Sequence, residues 1–381
     1  MTPPSPAPLR GPTFGSYAPE DVGWLLTDLS DVALEAPTEE REEAIQSGGA
    51  HYAESLPHEY QPDAAYLELY RSALAATAPR LARAVGTVTE MVLRERGADV
   101  VLVSLARAGT PVGVLLRRWA AWAHGLDLQH YALSIVRGRG IDQLALRHLA
   151  EHHDPARVVF VDGWTGKGAI AAELAAAVAE HERDTGVRFD QDLAVLADPG
   201  RCVTTFGTRD DWLIASACLN STVSGLVSRT VLNPRLLGPG QYHGAKFYAH
   251  LAESDVSNDF LDVVTAEFPR VSDTTAPPER AADHAGQAAI ERIVEAYGIG
   301  DANLVKPGVG ETTRVLLRRV PWRVLVRSGA PTADLAHVLL LAQRRGVPVE
   351  EVVGLPYTCV GLIHPRYTRA ATGADGLAVA L

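Results

Sequence analysis

Apolar positions along this chain change their period near residue 99. Between residues 63 and 96 they fall at Leu67, Tyr70, Leu74, Leu81, Val85 and Val88, a spacing that predicts one long amphipathic helix. Val100-Val101-Leu102-Val103 is then an unbroken apolar run of strand length, as in a parallel strand covered on both faces. Residues 107–111 read as a turn and 112–123 as a helix. The unit then repeats, with a strand at 131–135 and a helix at 141–152. A strand at 158–161 ending on Asp162 precedes a glycine-rich turn and a helix at 169–181, and a strand at 193–196 closes the series before Asp198. Upstream, residues 19–34 read as a short docking helix and turn. Alternating strands and helices of this length predict an α/β fold, a doubly wound parallel sheet. Ligands in such sheets bind beyond the carboxyl ends of the strands. Three loops of unusual composition fall there: 105–111, 136–140 and 162–168.

Residues 269–288 contain Pro269, Ser272, Asp273, Thr274, Thr275, Pro277 and Pro278, a linker composition. The division expected is a disordered leader over 1–12, a main domain over 13–268, the linker, and a smaller α/β domain over 289–381. That last segment holds 11 Arg/Lys against 8 Asp/Glu, a net of +3, so the first 288 residues carry −14 of the total of −11. The local positive sign suits an RNA contact, whereas the overall charge argues against broad electrostatic binding of nucleic acid. The three cysteines, Cys202, Cys218 and Cys359, show neither CxxC pairing nor zinc-type spacing. A reducing, cytoplasmic setting is therefore expected. No apolar run approaches the roughly 18 residues of a membrane helix.

The densest chemistry lies in Asp162-Gly163-Trp164-Thr165-Gly166-Lys167-Gly168. Three glycines and a threonine between a buried strand and a helix start can turn backbone N–H groups toward an anion, which the helix dipole favours. Asp162 could hold ribose hydroxyls or a magnesium ion. The nucleotide-binding pattern GxxxxGK[ST] is not met, because Gly163 and Gly166 are three apart and Gly168 follows Lys167, so a nucleoside triphosphatase is excluded. In the loop Ala106-Arg107-Ala108-Gly109, an arginine among small residues suits bidentate binding of a diphosphate. Arg137 and Arg139, set among glycines, suit closure on an anion or simple loop flexibility. Asn220, Ser221, Thr222 and Arg229 belong to a polar stretch suited to lining a second-substrate pocket or to an ordinary turn.

This order of motifs resembles that of the type I phosphoribosyltransferases. More closely, LARAGTPVG, SIVRGRGID, VFVDGWTGKGAI and SACLNSTVSGLVSRT resemble segments of the phosphoribosyltransferase-like proteins of Ter-type (tellurium-resistance) stress operons, and the segment from Asn303 to Gly361 resembles a Pelota-type RNA-binding domain. The resemblance implies transfer of a phosphoribosyl group from phosphoribosyl diphosphate to a small-molecule acceptor, toward a nucleoside-like product. It implies that 163–168 bind the 5′-phosphate, that Asp162 orients ribose and shares Mg2+, and that Arg107 with Arg137 or Arg139 holds diphosphate. The Pelota resemblance brings in RNA as a partner of the C-terminal domain, with a dimerisation module and hence a homodimer as the alternative. Two departures stand out: Asp162 lacks the usual acidic neighbour, Gly163 taking that place, and the loop is about two residues shorter than the family pattern.

The same proteins are also described as StiP-type cysteine proteases. In that alternative Cys218 is the nucleophile and His51 or His243 the base, since such catalysis needs cysteine beside an oriented histidine. A non-catalytic sugar-phosphate or RNA-binding regulator is the third reading.

Overall fold

A computed structural model of the protein describes residues 5–35, 53–56, 58–59, 62 and 64–364. His51 and residues 365–381 of the expected C-terminal domain lie outside the described residues.

The first strands are β1 (Gly23–Leu25) and β2 (Thr27–Asp28). Helix α1 (Ala64–Arg96) leads into β3 (Val101–Ala106) and α2 (Thr110–His124). Next come β4 (Gln129–Val136), β5 (Gly140–Ile141) and α3 (Gln143–His152). They are followed by β6 (Val158–Trp164), α4 (Ala169–Thr185), β7 (Leu193–Ala197) and β8 (Phe206–Thr208). Strand β9 (Gly244–Ala245) and helix α5 (Ser257–Thr265) complete the N-terminal unit.

The central sheet has the order β1-β4-β3-β6-β7-β8, all parallel along this path, with β5 antiparallel to β4. The chain passes from β3 outward to β4 and then crosses to β6 on the other side, so the winding direction reverses between β3 and β6. This is an α/β fold with a mostly parallel sheet. Its middle strands are apolar on both faces because helices cover both: Leu102 and Val161 pack in one cluster, and Val103 and Phe160 in another.

The sequence reading of residues 19–34 as a helix does not hold, since the segment supplies β1 and β2. Gly23, Trp24 and Leu25 are wholly buried and pair with Tyr131, Ala132 and Leu133 of β4. A segment buried on both sides shows neither the strand nor the helix period, so pattern alone cannot assign it. Within residues 5–12, Leu9 pairs with Trp24, and the Pro6 carbonyl accepts from the Tyr242 hydroxyl at 2.7 Å.

The C-terminal unit is smaller: α6 (Ala285–Ala296), β10 (Val305–Pro307), α7 (Val309–Arg318), β11 (Pro321–Arg327), α8 (Thr332–Arg344), β12 (Val349–Val352) and β13 (Cys359–Ile363). Its sheet runs β10-β13-β11-β12, with only β11 and β12 parallel. The segment joining the two units is strapped to the first: Asp273 meets Arg83 at 2.6 Å, and Arg280 meets Glu95 at 2.7 Å.

One hydrophobic cluster crosses between the units, beside a second that belongs to the C-terminal unit alone. Val309, Leu316, Val324, Val338 and Cys359 belong to the same buried cluster as Leu81, Val112 and Trp212. Asp211, 6% exposed, staples the seam by accepting from the backbone N–H groups of Val309 (2.9 Å) and Thr358 (2.7 Å). Unpaired, those buried donors would cost roughly 1–3 kcal/mol each.

Candidate functional site

Strands β3 and β6 deliver Ala106 and Asp162 to the same edge of the sheet, at the point where the winding reverses. In such folds this is where ligands sit. A cleft of about 270 Å³ opens there. One wall is Arg107, Ala108 and Pro111 with Asp162, Gly163 and Trp164. A second is the segment 214–224, including Ser216, Ala217, Leu219 and Asn220. Glu311 and Arg314 on α7 of the C-terminal unit form the third. A Cβ on Gly310 would overlap the ring of Trp164, so the absent side chain lets the indole bridge the first and third walls.

Asp162 accepts from the backbone N–H of Gly163 at 2.8 Å. Burial pushes its carboxyl up to about 7, the Gly163 bond pulling the other way. Its proton affinity therefore falls in the range useful for acid–base work. Arg107 lies 3.5 Å from Glu59, which also accepts from the backbone N–H and hydroxyl of Ser221 at 2.8 and 2.7 Å. This carboxylate ties the arginine loop to the 214–224 segment. On the third wall Glu311 meets Arg314 at 3.1 Å.

The rest of the glycine loop is occupied by protein groups. The Thr165 hydroxyl donates to Asp198, and its N–H donates to the Ala197 carbonyl at 3.0 Å. The Gly166 carbonyl accepts from Tyr357 at 2.9 Å, and Lys167 donates to the Ala302 carbonyl. Burial, followed by Lys306 and Arg137, lowers the Lys167 ammonium to about 8. Gly168, with φ of +78°, seats α4 against Cys202.

Gly109 is the N-cap of α2 and packs closely on β6. Arg137 and Arg139 are exposed and do not line the cleft. The Gly138 and Gly140 amides of their loop donate to Glu173 at 2.8 and 2.9 Å, and Arg137 reaches Asn303 at 3.1 Å. Asn220 lines the cleft, Ser221 and Thr222 are buried behind it, and Arg229 donates to the Ser55 carbonyl at 3.0 Å. Among the described residues no group of three or more His, Cys, Asp or Glu could hold a metal ion. The Mg2+ expectation thus rests on Asp162 alone. No helix among the described residues is long and apolar enough to cross a membrane.

The three cysteines differ in placement. Cys202 is packed beneath Gly168, its thiol pushed up to about 12 by burial and then by Asp198. Cys359 is fully buried in β13, and burial, then Asp211, raises its thiol far above the ordinary value. Cys218 ends the single 3-10 turn Ala215–Cys218, and its carbonyl accepts from Tyr66. The residues on both sides of it line the cleft. His243 is engaged at β4, with Nδ1 2.8 Å from the Ser134 hydroxyl and its backbone N–H donating to Asp142 at 2.6 Å. Burial lowers its pKa, and Asp142 opposes that shift. Among the described residues no histidine lines the cleft.

Sequence reasoning missed Glu59, Ser216, Glu311 and Arg314. The polar run beginning at Ser216 was a usable signal for one of them. Glu311 and Arg314 reach the cleft, and Glu59 reaches Arg107, only through tertiary placement.

Fold and site together define an α/β protein whose pocket at the strand ends is walled by a second, covalently linked unit. Residues 15–265 match the family described as tellurite-like stress resistance cysteine protease StiP, and residues 284–365 match the PELOTA RNA binding domain. A relative named cysteine protease StiP, from Acinetobacter baylyi, is 36% identical over 366 residues, covering 92% of this chain and 94% of the relative. The chain belongs to the StiP family.

These matches overturn phosphoribosyl transfer as the expected reaction. The transferase class, phosphoribosyl diphosphate as donor and nucleoside biosynthesis as the setting fall with it. The alternative that the sequence offered, a StiP-type cysteine protease, is the one they favour. The misreading has a physical origin: a glycine turn between strand and helix has the same sequence signature whether its polar groups serve a ligand or neighbouring protein groups. Here Thr165, Gly166 and Lys167 all bond to protein partners.

Proposed function

We propose that the chain is a cysteine peptidase of a tellurite-like stress response, with Cys218 as nucleophile and the strand-end cleft as its substrate site. The observation that carries this reading is that, of the three cysteines, Cys218 alone is flanked on both sides by cleft-lining residues. The family description and the name of the Acinetobacter relative support it. In this reading a mostly parallel α/β sheet, a scaffold used for many chemistries, carries cysteine-peptidase chemistry here.

In this reading Asp162, the cleft carboxylate of raised proton affinity, takes the Cys218 proton once the turn has opened, and the sulfur attacks a peptide carbonyl carbon. The tetrahedral intermediate collapses to a thioester as the C–N bond breaks, the leaving amine taking the proton back. Water then hydrolyses the thioester, releasing the acid and restoring the thiol. Cys218 is 1% exposed, so acylation requires the short turn that carries it to open.

The test is hydrolysis of a fluorogenic peptide library by wild type, Cys218→Ser and Cys202→Ala. Turnover lost in the first variant and kept in the second is expected. Turnover surviving in Cys218→Ser removes the assignment.

A further inference from the structure

We propose that the C-terminal unit is the substrate-reading wall of this cleft, and that Arg314 makes it select peptides bearing a carboxylate. The inference rests on the peptidase reading above and supplies its substrate class.

The first support is geometric. The C-terminal unit is no tethered accessory: its apolar residues join the main core, Asp211 accepts two of its backbone N–H groups, and Trp164 lies against Gly310. Glu311 and Arg314, one turn apart on α7, therefore face the cleft from a fixed position. The Arg314 side chain is 41% exposed and bonded to Glu311 at 3.1 Å. A guanidinium carries five donors in a planar fork, so this one carboxylate leaves donors available to a ligand.

The second support is electrostatic. Burial favours protonation of Glu311, yet its carboxyl is held below the ordinary value by Arg314, Lys306 and Arg319. Arg314 lines the cleft beside Glu311, Lys306 and Arg319 act on that carboxylate from outside the lining, and Arg107, paired with Glu59, stands on the wall opposite. The cations around Glu311 favour an anionic ligand group at Arg314, and a carboxylate matches the guanidinium fork bidentately. The third support is size. Drug-sized ligands occupy pockets of roughly 300–1,000 Å³, and this cleft of about 270 Å³ takes only a few residues of a peptide. Such a short segment presents a carboxylate either at a free C-terminus or on an Asp or Glu side chain.

The experiment uses the full chain and four tripeptides: Ala-Ala-Ala with a free C-terminus, its amide, and the amides of Ala-Glu-Ala and Ala-Lys-Ala. Wild type should cleave one or both carboxylate-bearing peptides at least about tenfold better than the neutral amide, through KM, as expected for a charge-assisted hydrogen bond. Preference for the first peptide alone identifies the terminus as the source, and preference for the glutamate amide alone identifies the side chain. Arg314→Ala should abolish the preference, and Arg314→Glu should shift it to the lysine peptide. Equal cleavage of all four by wild type, or a preference that survives Arg314→Ala, overturns the proposal while the peptidase reading stands. If none of the four is cleaved, the library decides the peptidase reading, and calorimetric titration of wild type and Arg314→Gln with the same peptides decides the substrate class. Carboxylate-dependent binding lost in the variant upholds it, and its absence in wild type overturns it.

Discussion

Gly109 offers a sharp test of how the cleft is built. It caps α2 with its α-carbon backed onto β6. A methyl group there would overlap the Val161 carbonyl oxygen and lie 3.0 Å from the Leu105 carbonyl oxygen and 3.1 Å from the Asp162 α-carbon. All three neighbours are backbone, so no side-chain rotation relieves the crowding. Overpacking of this kind costs about 1–3 kcal/mol, and alanine is a poorer N-cap than glycine by about 0.5–1 kcal/mol. Gly109→Ala should therefore lose about 1.5–4 kcal/mol in guanidinium unfolding followed by circular dichroism. It should also push Asp162 out of register with the cleft. Gly163→Ala is the control. Its nearest contact would be Val112 at 3.9 Å, so it should change stability by no more than about 0.5 kcal/mol. A Gly109→Ala variant within about 1 kcal/mol of wild type would refute the packing argument, as would equal losses in both variants.

Two further outcomes follow from the site and the seam. The Asp162 carboxyl is raised by burial to about 7 from an unfolded value of about 3.9. Its contribution to stability is intact below about pH 4 and lost as pH rises through about 7. Asp162→Asn, which does not titrate, should gain on wild type between pH 5 and pH 8 in urea unfolding, and parallel profiles would contradict the assigned burial. Because Val309, Val324 and Cys359 share a core with Leu81 and Trp212, calorimetric heating should give one cooperative transition. Two resolved transitions would show that the units are energetically independent.

The strands of the central sheet were legible because 100–103, 158–161 and 193–196 are apolar on every residue, which only a doubly covered parallel strand requires. The loops at their ends were legible for the same reason, since strand ends locate them. Strand β1 was not, because three residues buried on all sides carry no period. The cleft was half legible: Arg107, Asp162 and Asn220 lie in conspicuous loops, whereas Glu311 and Arg314 arrive from a remote helix whose charges look like any solvated face. Reaction class was the least legible. The features that suggested a phosphate cradle, Thr165, Gly166 and Lys167, are bonded to Asp198, Tyr357 and Ala302, and no local pattern distinguishes a protein partner from a ligand.

The shared core also bears on how the molecule is made. Its contributors extend from Phe14 to Cys359, a separation of 359 − 14 = 345 residues. At a synthesis rate of roughly 5–20 residues per second, those two side chains leave the ribosome about 17–70 seconds apart. Until α7 and β13 emerge, the apolar face that will receive them has no partner, so the nascent chain exposes hydrophobic surface. Any block to translation after the central sheet has formed would leave that face uncovered.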